Sequence, residues 1–71
     1  MFRVIYGRVF GTEKEAVKAS ALIKELEPSV KSGRGSYVVE LARYRTRTEA
    51  DTAYLHYRKQ GHRVFIQKLE D

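Results

Sequence analysis

The sequence predicts a small α+β domain of the ferredoxin-like class, in which a four-stranded antiparallel sheet carries two helices on one face. Two observations indicate this fold. The two halves of the chain repeat one pattern of strand, helix and strand, which gives the order β-α-β-β-α-β. At 71 residues with no Cys, the chain has length for one modest core and no disulfide framework. We therefore expect one domain spanning residues 1–71.

Matching strands open the two halves. In both, every second residue is apolar, which is typical of a strand with one buried face. We expect the following side chains to face the helices: Phe2, Val4 and Tyr6, then Tyr37, Val39 and Leu41.

Each half continues with a capping box, Thr12 with Glu15 and Thr46 with Glu49, which predicts the start of a helix. The first helix is expected to end before Pro28, since proline cannot continue the hydrogen-bond ladder. Its predicted inner residues are Ala16, Ala19, Ile23 and Leu26, with Leu22 beside them. The second helix has inner residues Ala50, Ala53, Tyr54 and Tyr57 and a terminating Gly61.

Two further strands complete the predicted order. Residues 62–68 alternate polar and apolar side chains and form a closing strand, and residues 29–32 are its weaker counterpart. Residues 33–36, with two glycines, predict the turn of a hairpin. Backbone donors in such a segment also suit a phosphate, but the segment lacks the length and the lysine of a P-loop, so we favour the hairpin.

The sheet face away from the helices is the first candidate binding surface. Strand alternation assigns to it Arg3, Ile5, Val38, Glu40, Arg63, Phe65 and Gln67. We expect Ile5, Val38 and Phe65 to be exposed together. Contiguous exposed apolar surface marks a ligand site or an interface with a second copy of the chain, so a homodimer through this face is one expectation.

The segment after the third strand is the second candidate surface. Arg43, Tyr44 and Arg45 interleave cations with an aromatic ring, a composition suited to phosphate contacts and to stacking on a base or sugar. The segment equally suits a solvated loop with Tyr44 tucked under the edge of the sheet. Both interpretations stay open at this point.

Composition argues against several classes of function. His56 and His62 have no Cys and no convincing catalytic partner, so we expect no enzyme, no metal site and no cofactor. No apolar stretch is long enough to insert into a membrane. Fourteen Lys and Arg against nine Asp and Glu give a net charge of +5, which favours anionic partners such as nucleic acid but is also usual for solubility alone.

Residues 37–44, 48–50 and 61–68, together with the opening strand in residues 2–10, resemble the SPOR family of bacterial sporulation-related repeat domains. The resemblance covers nearly the whole chain, although Ile5 and Ala42 stand where the family often has a polar residue and a glycine. It implies an RNA-recognition-like fold that binds peptidoglycan glycan strands lacking stem peptides, a cell-wall function linked to cell division. The expected contact residues are Arg3, Ile5, Val38, Glu40, Arg43, Tyr44, Arg45, Arg63, Phe65 and Gln67.

A nucleic-acid-binding domain and a self-associating domain are the alternatives. The expected location depends on the extent of the natural protein. An excised domain of a larger protein would belong to the cell envelope, whereas a complete chain of 71 residues without an export signal would be cytoplasmic.

Overall fold

The computed structural model describes residues 1–69, and its elements follow the predicted order. They are β1 (Phe2–Tyr6), α1 (Glu13–Leu22), a 3-10 turn (Lys24–Leu26), β2 (Ser29–Gly33), β3 (Ser36–Tyr44), α2 (Arg47–Lys59) and β4 (Val64–Lys68). The strands pair antiparallel in the order β2-β3-β1-β4. The predicted ferredoxin-like α+β class is therefore confirmed.

Both helices start at the predicted caps. The hydroxyl oxygen of Thr12 accepts the backbone N–H of Glu15 at 3.3 Å, and Thr46 accepts that of Glu49 at 3.2 Å. In each pair the threonine hydroxyl also donates to the glutamate carboxylate. Such a cap stabilises a helix by about 1 kcal/mol, so the two halves enter their helices in the same way.

The core lies between the helices and the sheet. Val4, Val39 and Val64 are fully buried, and Ala16 and Ala50 let the helices approach the strands closely. Helix α1 packs on β2 and β3, whereas α2 packs on β4, β1 and β3. The predicted helix-facing residues of β1 and β3 thus lie in or beside this core.

Leu22 corrects one of the sequence expectations. It was predicted beside the inner face of the first helix, but 75% of it is exposed. Leu22 comes six residues after the buried Ala16, which places the two side chains about 120° apart around the helix, so Leu22 points away from the buried face. Helix α1 ends at Leu22, and the 3-10 turn carries the chain on toward Pro28.

Strand β3 contains a bulge that the sequence did not predict. Val4 pairs with Ala42, whereas the next residue, Ile5, pairs with Glu40, so Leu41 is an extra residue in β3. Leu41 packs against the core. Ala42 lies opposite the buried Val4 and so faces the same side, which reverses the alternation of side chains beyond it.

A tight turn joins β2 to β3. Gly33 pairs with Ser36, and the two residues between them, Arg34 and Gly35, have φ angles of +49° and +78°. Positive φ at both central positions defines a type I′ turn, whose twist matches that of a two-stranded hairpin. The hairpin predicted over residues 33–36 is confirmed.

This hairpin curves over the sheet face that points away from the helices. In a flat sheet Ser36 would lie about six residues, or roughly 20 Å, from Arg3 along the strands. Instead, Gly33, Arg34 and Ser36 line one cavity together with Arg3 and residues 67–69. A bulge bends its strand and increases its twist, and the extra residue in β3 accounts for the curvature.

The curved hairpin explains an unexpected burial. Ile5 and Val38 lie on the face away from the helices, yet only 4% of each is exposed. Phe65, the cross-strand partner of Ile5 on the edge strand β4, is 46% exposed. The sheet thus buries apolar side chains on both faces near its centre.

We expect Ile5→Ala to lower the free energy of unfolding by about 2–4 kcal/mol, because it empties a buried site. Phe65→Ala, the matched change on the neighbouring strand, should cost only about 1 kcal/mol. Urea unfolding of both variants measures the difference. Equal, small losses would contradict the covering of this face by the hairpin.

Candidate functional site

The sheet face away from the helices brings most of the predicted site residues together. Cross-strand partners share a face, and the register joins Arg3 to Arg43 and Gln67, and Ile5 to Glu40 and Phe65. Val38 lies two residues before Glu40 in β3 and faces the same side. Arg63 is exposed just before β4, where alternation places it with Phe65.

A hydrogen-bonded ion network occupies this face. Glu40 is 8% exposed, and its carboxylate accepts from Nη1 of Arg3 at 3.2 Å and from Nε of Arg43 at 2.9 Å. Nε of Arg3 also donates to Oε1 of Gln67 at 2.6 Å. Four predicted ligand contacts therefore bind one another across β4, β1 and β3.

The network leaves donors available while it holds their side chains in place. A guanidinium has five N–H groups, and the network uses only some of those on each arginine. Within residues 1–69, no acceptor binds Nη2 of Arg3 or either terminal nitrogen of Arg43. Arg3 and Arg43 are thus positioned donors that can reach a ligand without rearranging.

The expected exposed apolar patch is absent from this face. Ile5 and Val38 have the predicted orientation, but only 4% of each is exposed, so the prediction that they are exposed is wrong. Phe65 alone of the three presents an accessible ring. A ligand or a second copy of the chain would therefore meet one aromatic side chain among polar groups.

The bulge divides the second candidate surface between the two sides of the sheet. Arg43 belongs to the face away from the helices, where it binds Glu40. Tyr44 pairs with Phe2, whose ring lies 5.9 Å from the guanidinium of Arg47 in α2, so Tyr44 faces the helices. Arg45 is exposed in the connection to α2. Tyr44 thus lies on the helix side, as one interpretation of this segment expected, but Arg43 and Tyr44 belong to β3 and not to a solvated loop.

A concave surface lies between the hairpin and the ends of β1 and β4. The cavity has a volume of about 660 Å³ and is lined by Arg3, Gly33, Arg34, Ser36, Gln67, Lys68 and Leu69. Its charged lining side chains are all basic among the described residues. Arg34 and Lys68 form no ion pair with an acid of residues 1–69.

Sequence reasoning missed Arg34, Ser36 and Lys68 as site residues. The sequence indicates for the turn containing Arg34 only a hairpin, with weak phosphate binding as the alternative. Lys68 lies far from it in the chain, and their convergence depends on the curvature of the hairpin. No local pattern in the sequence indicates that curvature.

A second cavity of about 490 Å³ lies on the helix side of the sheet. It is lined by Tyr44, Thr48, Glu49, Thr52, Ala53, His56 and Tyr57. Burial raises the pKa of Tyr57 above its ordinary value of 10.0, and the neighbouring Tyr44 raises it further. Tyr57 therefore keeps a neutral hydroxyl, able to donate or accept a hydrogen bond.

Within residues 1–69, no three His, Cys, Asp or Glu side chains are grouped so that they could hold a metal ion. The same residues contain no helix of the length and apolarity needed to cross a lipid bilayer. Comparison of the chain with protein-family models, curated proteins and solved structures finds no match.

We expect Glu40→Gln to destabilise the fold by about 1–3 kcal/mol, because it leaves Arg3 without its counter-charge in a largely buried position. The side chain of Arg3 is only 15% exposed. Asp51→Asn, which breaks the exposed pair with Arg47, is the control and should cost about 0.5 kcal/mol or less. Chemical unfolding compares the two, and equal effects would show that the network contributes no more than a surface pair.

The raised pKa of Tyr57 predicts a loss of stability at high pH. The unfolded chain releases this proton near pH 10, before the folded chain does, so deprotonation favours unfolding. The contribution is fully present below about pH 10 and is lost as pH rises through the folded pKa. Urea unfolding at several alkaline pH values should give a shallower decline for Tyr57→Phe than for the unaltered chain, and parallel declines would contradict the assignment.

Proposed function

We propose that this chain is a non-catalytic binding module for peptidoglycan glycan strands that lack stem peptides. The observation that carries the proposal is the cavity between the β2–β3 hairpin and the ends of β1 and β4. The resemblance of residues 37–44 and 61–68 to SPOR domains supplies the ligand class. On this proposal the domain works at the bacterial cell wall.

The polar groups around the cavity suit a sugar. Hydroxyl and acetamide groups need donors and acceptors at fixed positions. The amide nitrogen of Gln67 is held in place because Arg3 binds the oxygen of the same amide. The terminal nitrogens of Arg43 lie further along the same face. A volume of about 660 Å³ falls within the range of pockets that enclose small ligands, so it accommodates a sugar unit.

Phe65 supplies the apolar part of the proposed site. Its ring is half-exposed on the edge strand, on the same face as Gln67 two residues further on. The C–H face of a sugar ring packs against an aromatic ring while its hydroxyl groups bind polar side chains. A glycan strand that leaves the cavity along β4 would pass over Phe65.

Nucleic-acid binding is the second candidate, and the basic lining of the cavity favours it. Arg3, Arg34 and Lys68 line it, and the whole chain carries a net charge of +5. Salt separates the candidates, since the affinity for a polyanion falls steeply and linearly in log salt with the number of phosphates contacted. A glycan strand has far fewer charges and should show a shallower dependence.

Cosedimentation with purified sacculi tests the glycan proposal. We expect the chain to pellet with sacculi stripped of stem peptides by an amidase and to pellet less with untreated sacculi. Phe65→Ala should stay folded and weaken this binding about tenfold. Leu55→Ala, which changes an exposed apolar side chain on α2, is the control and should bind as the unaltered chain does.

Failure to pellet with the stripped sacculi would overturn the glycan proposal. Binding to oligonucleotides with a steep salt dependence would then support the second candidate. Thermal melts of both variants exclude unfolding as the cause of any loss of binding.

A further inference from the structure

We propose that the cavity beneath the hairpin contains a subsite for one oxyanion, a carboxylate or phosphate group, bound between Arg34 and Lys68. This subsite rests on the proposed function only in the identity of the ligand that carries the oxyanion. The chemistry of the subsite itself follows from the charges that line the cavity and from the backbone of the turn.

The charges that line this cavity are all of one sign among the described residues. Cations without an ion pair also occur elsewhere within residues 1–69, as at Arg45 and Arg63, but here they converge on one concavity. Around the cavity, Arg34 and Lys68 have no acidic partner within residues 1–69, although Arg3 lines the same space. Like charges that converge on one concavity repel each other, and a bound anion relieves that repulsion.

The backbone of Arg34 provides a second, independent observation. Its φ of +49° lies in the left-handed region, which disfavours residues with a Cβ. A type I′ turn prefers Asn followed by Gly, and Gly35 already fills the second position. Arg34 is therefore a poor choice for the turn itself. The guanidinium at the cavity gives this residue a role that the fold does not.

The donor geometry fits an oxyanion. A guanidinium presents parallel N–H groups that match two oxygens of a carboxylate or phosphate, and a lysine adds a compact positive charge. Arg3 lies at the same cavity, where its bonds to Glu40 and Gln67 keep it in place. The hydroxyl of Ser36 donates to the carbonyl of Gly33 at 3.0 Å, so the basic side chains are the main donors.

Removal of a stem peptide by hydrolysis of its amide bond leaves a carboxylate on the sugar, which supplies such an oxyanion on the proposed ligand. N-acetylmuramic acid carries this carboxylate, whereas N-acetylglucosamine lacks it. The two sugars are therefore a matched pair of probes. Inorganic phosphate is the third probe and reports on the oxyanion chemistry without a sugar.

The test is an NMR titration of the 71-residue chain with these probes. We expect saturable shifts of the amides of residues 33–36 and 67–69 with N-acetylmuramic acid and with phosphate, but not with N-acetylglucosamine. Arg34→Asn should weaken binding of both anions about tenfold or more while melting at the same or a higher temperature, because asparagine suits the turn. Lys68→Gln should also weaken binding.

Lys18→Gln removes the same charge from an exposed position on α1 and should leave the titration unchanged. Equal affinities for anions in Arg34→Asn and in the unaltered chain would overturn the subsite. A loss of binding in Lys18→Gln as large as that in Arg34→Asn would overturn it as well. Tighter binding of phosphate than of N-acetylmuramic acid would support the subsite and assign it to a phosphate-bearing ligand.

The outcomes separate the subsite from the proposed function. If the chain binds stripped sacculi but neither anion shifts its amides, the subsite is overturned and the glycan proposal stands. If the anions bind but stripped sacculi do not, the subsite stands and the glycan proposal fails.

Discussion

The extra residue in β3 is the constraint on which the arrangement of the sheet face depends. Because Leu41 is unpaired, both Leu41 and Ala42 face the helices. Each later side chain of β3 therefore lies on the face opposite to the one that unbroken alternation would give it. Arg43 thereby reaches Glu40 on the opposite face, and Tyr44 joins the helix side. The bend that accompanies a bulge also brings the β2–β3 hairpin over the sheet. One local irregularity thus decides on which side of the sheet the last residues of β3 lie, and with it the ion network.

The ion network is better explained by positioning than by stability. Two arginines around a nearly buried glutamate must lose much of their hydration, and apolar residues of similar volume often stabilise such a place equally well. In return, the network holds Arg3 and Arg43 against Glu40 and Gln67 against Arg3, and it leaves several N–H groups available. A binding surface gains from donors that are already ordered, because their side-chain entropy is lost on folding and not on binding.

The sequence was sufficient for the fold but only partly for the site. Alternation and capping boxes are local signals, so the order of the strands, the helix starts and the class were predicted correctly, whereas the bulge in β3 was not. The faces of Ile5 and Val38 followed from alternation, whereas their burial depends on a hairpin that is remote from Ile5 in the chain. Leu22 was misplaced because the pattern does not reveal where α1 gives way to a 3-10 turn. The position of both Arg34 and Lys68 at one cavity likewise depends on strand curvature, which the periodicity of side chains does not indicate.

The placement of charge also bears on the choice between the two ligand classes. A polyanion is bound most strongly by cations spread along the path of its backbone. Here two cations with no acidic partner among the described residues, Arg34 and Lys68, converge on one cavity, and Glu40 partly neutralises the arginines at the centre of the sheet. Phe65, further along β4, adds an exposed aromatic ring. On the proposed function, this convergence suits a ligand with one anionic group at a defined point and a largely neutral remainder, such as an acidic sugar in a glycan.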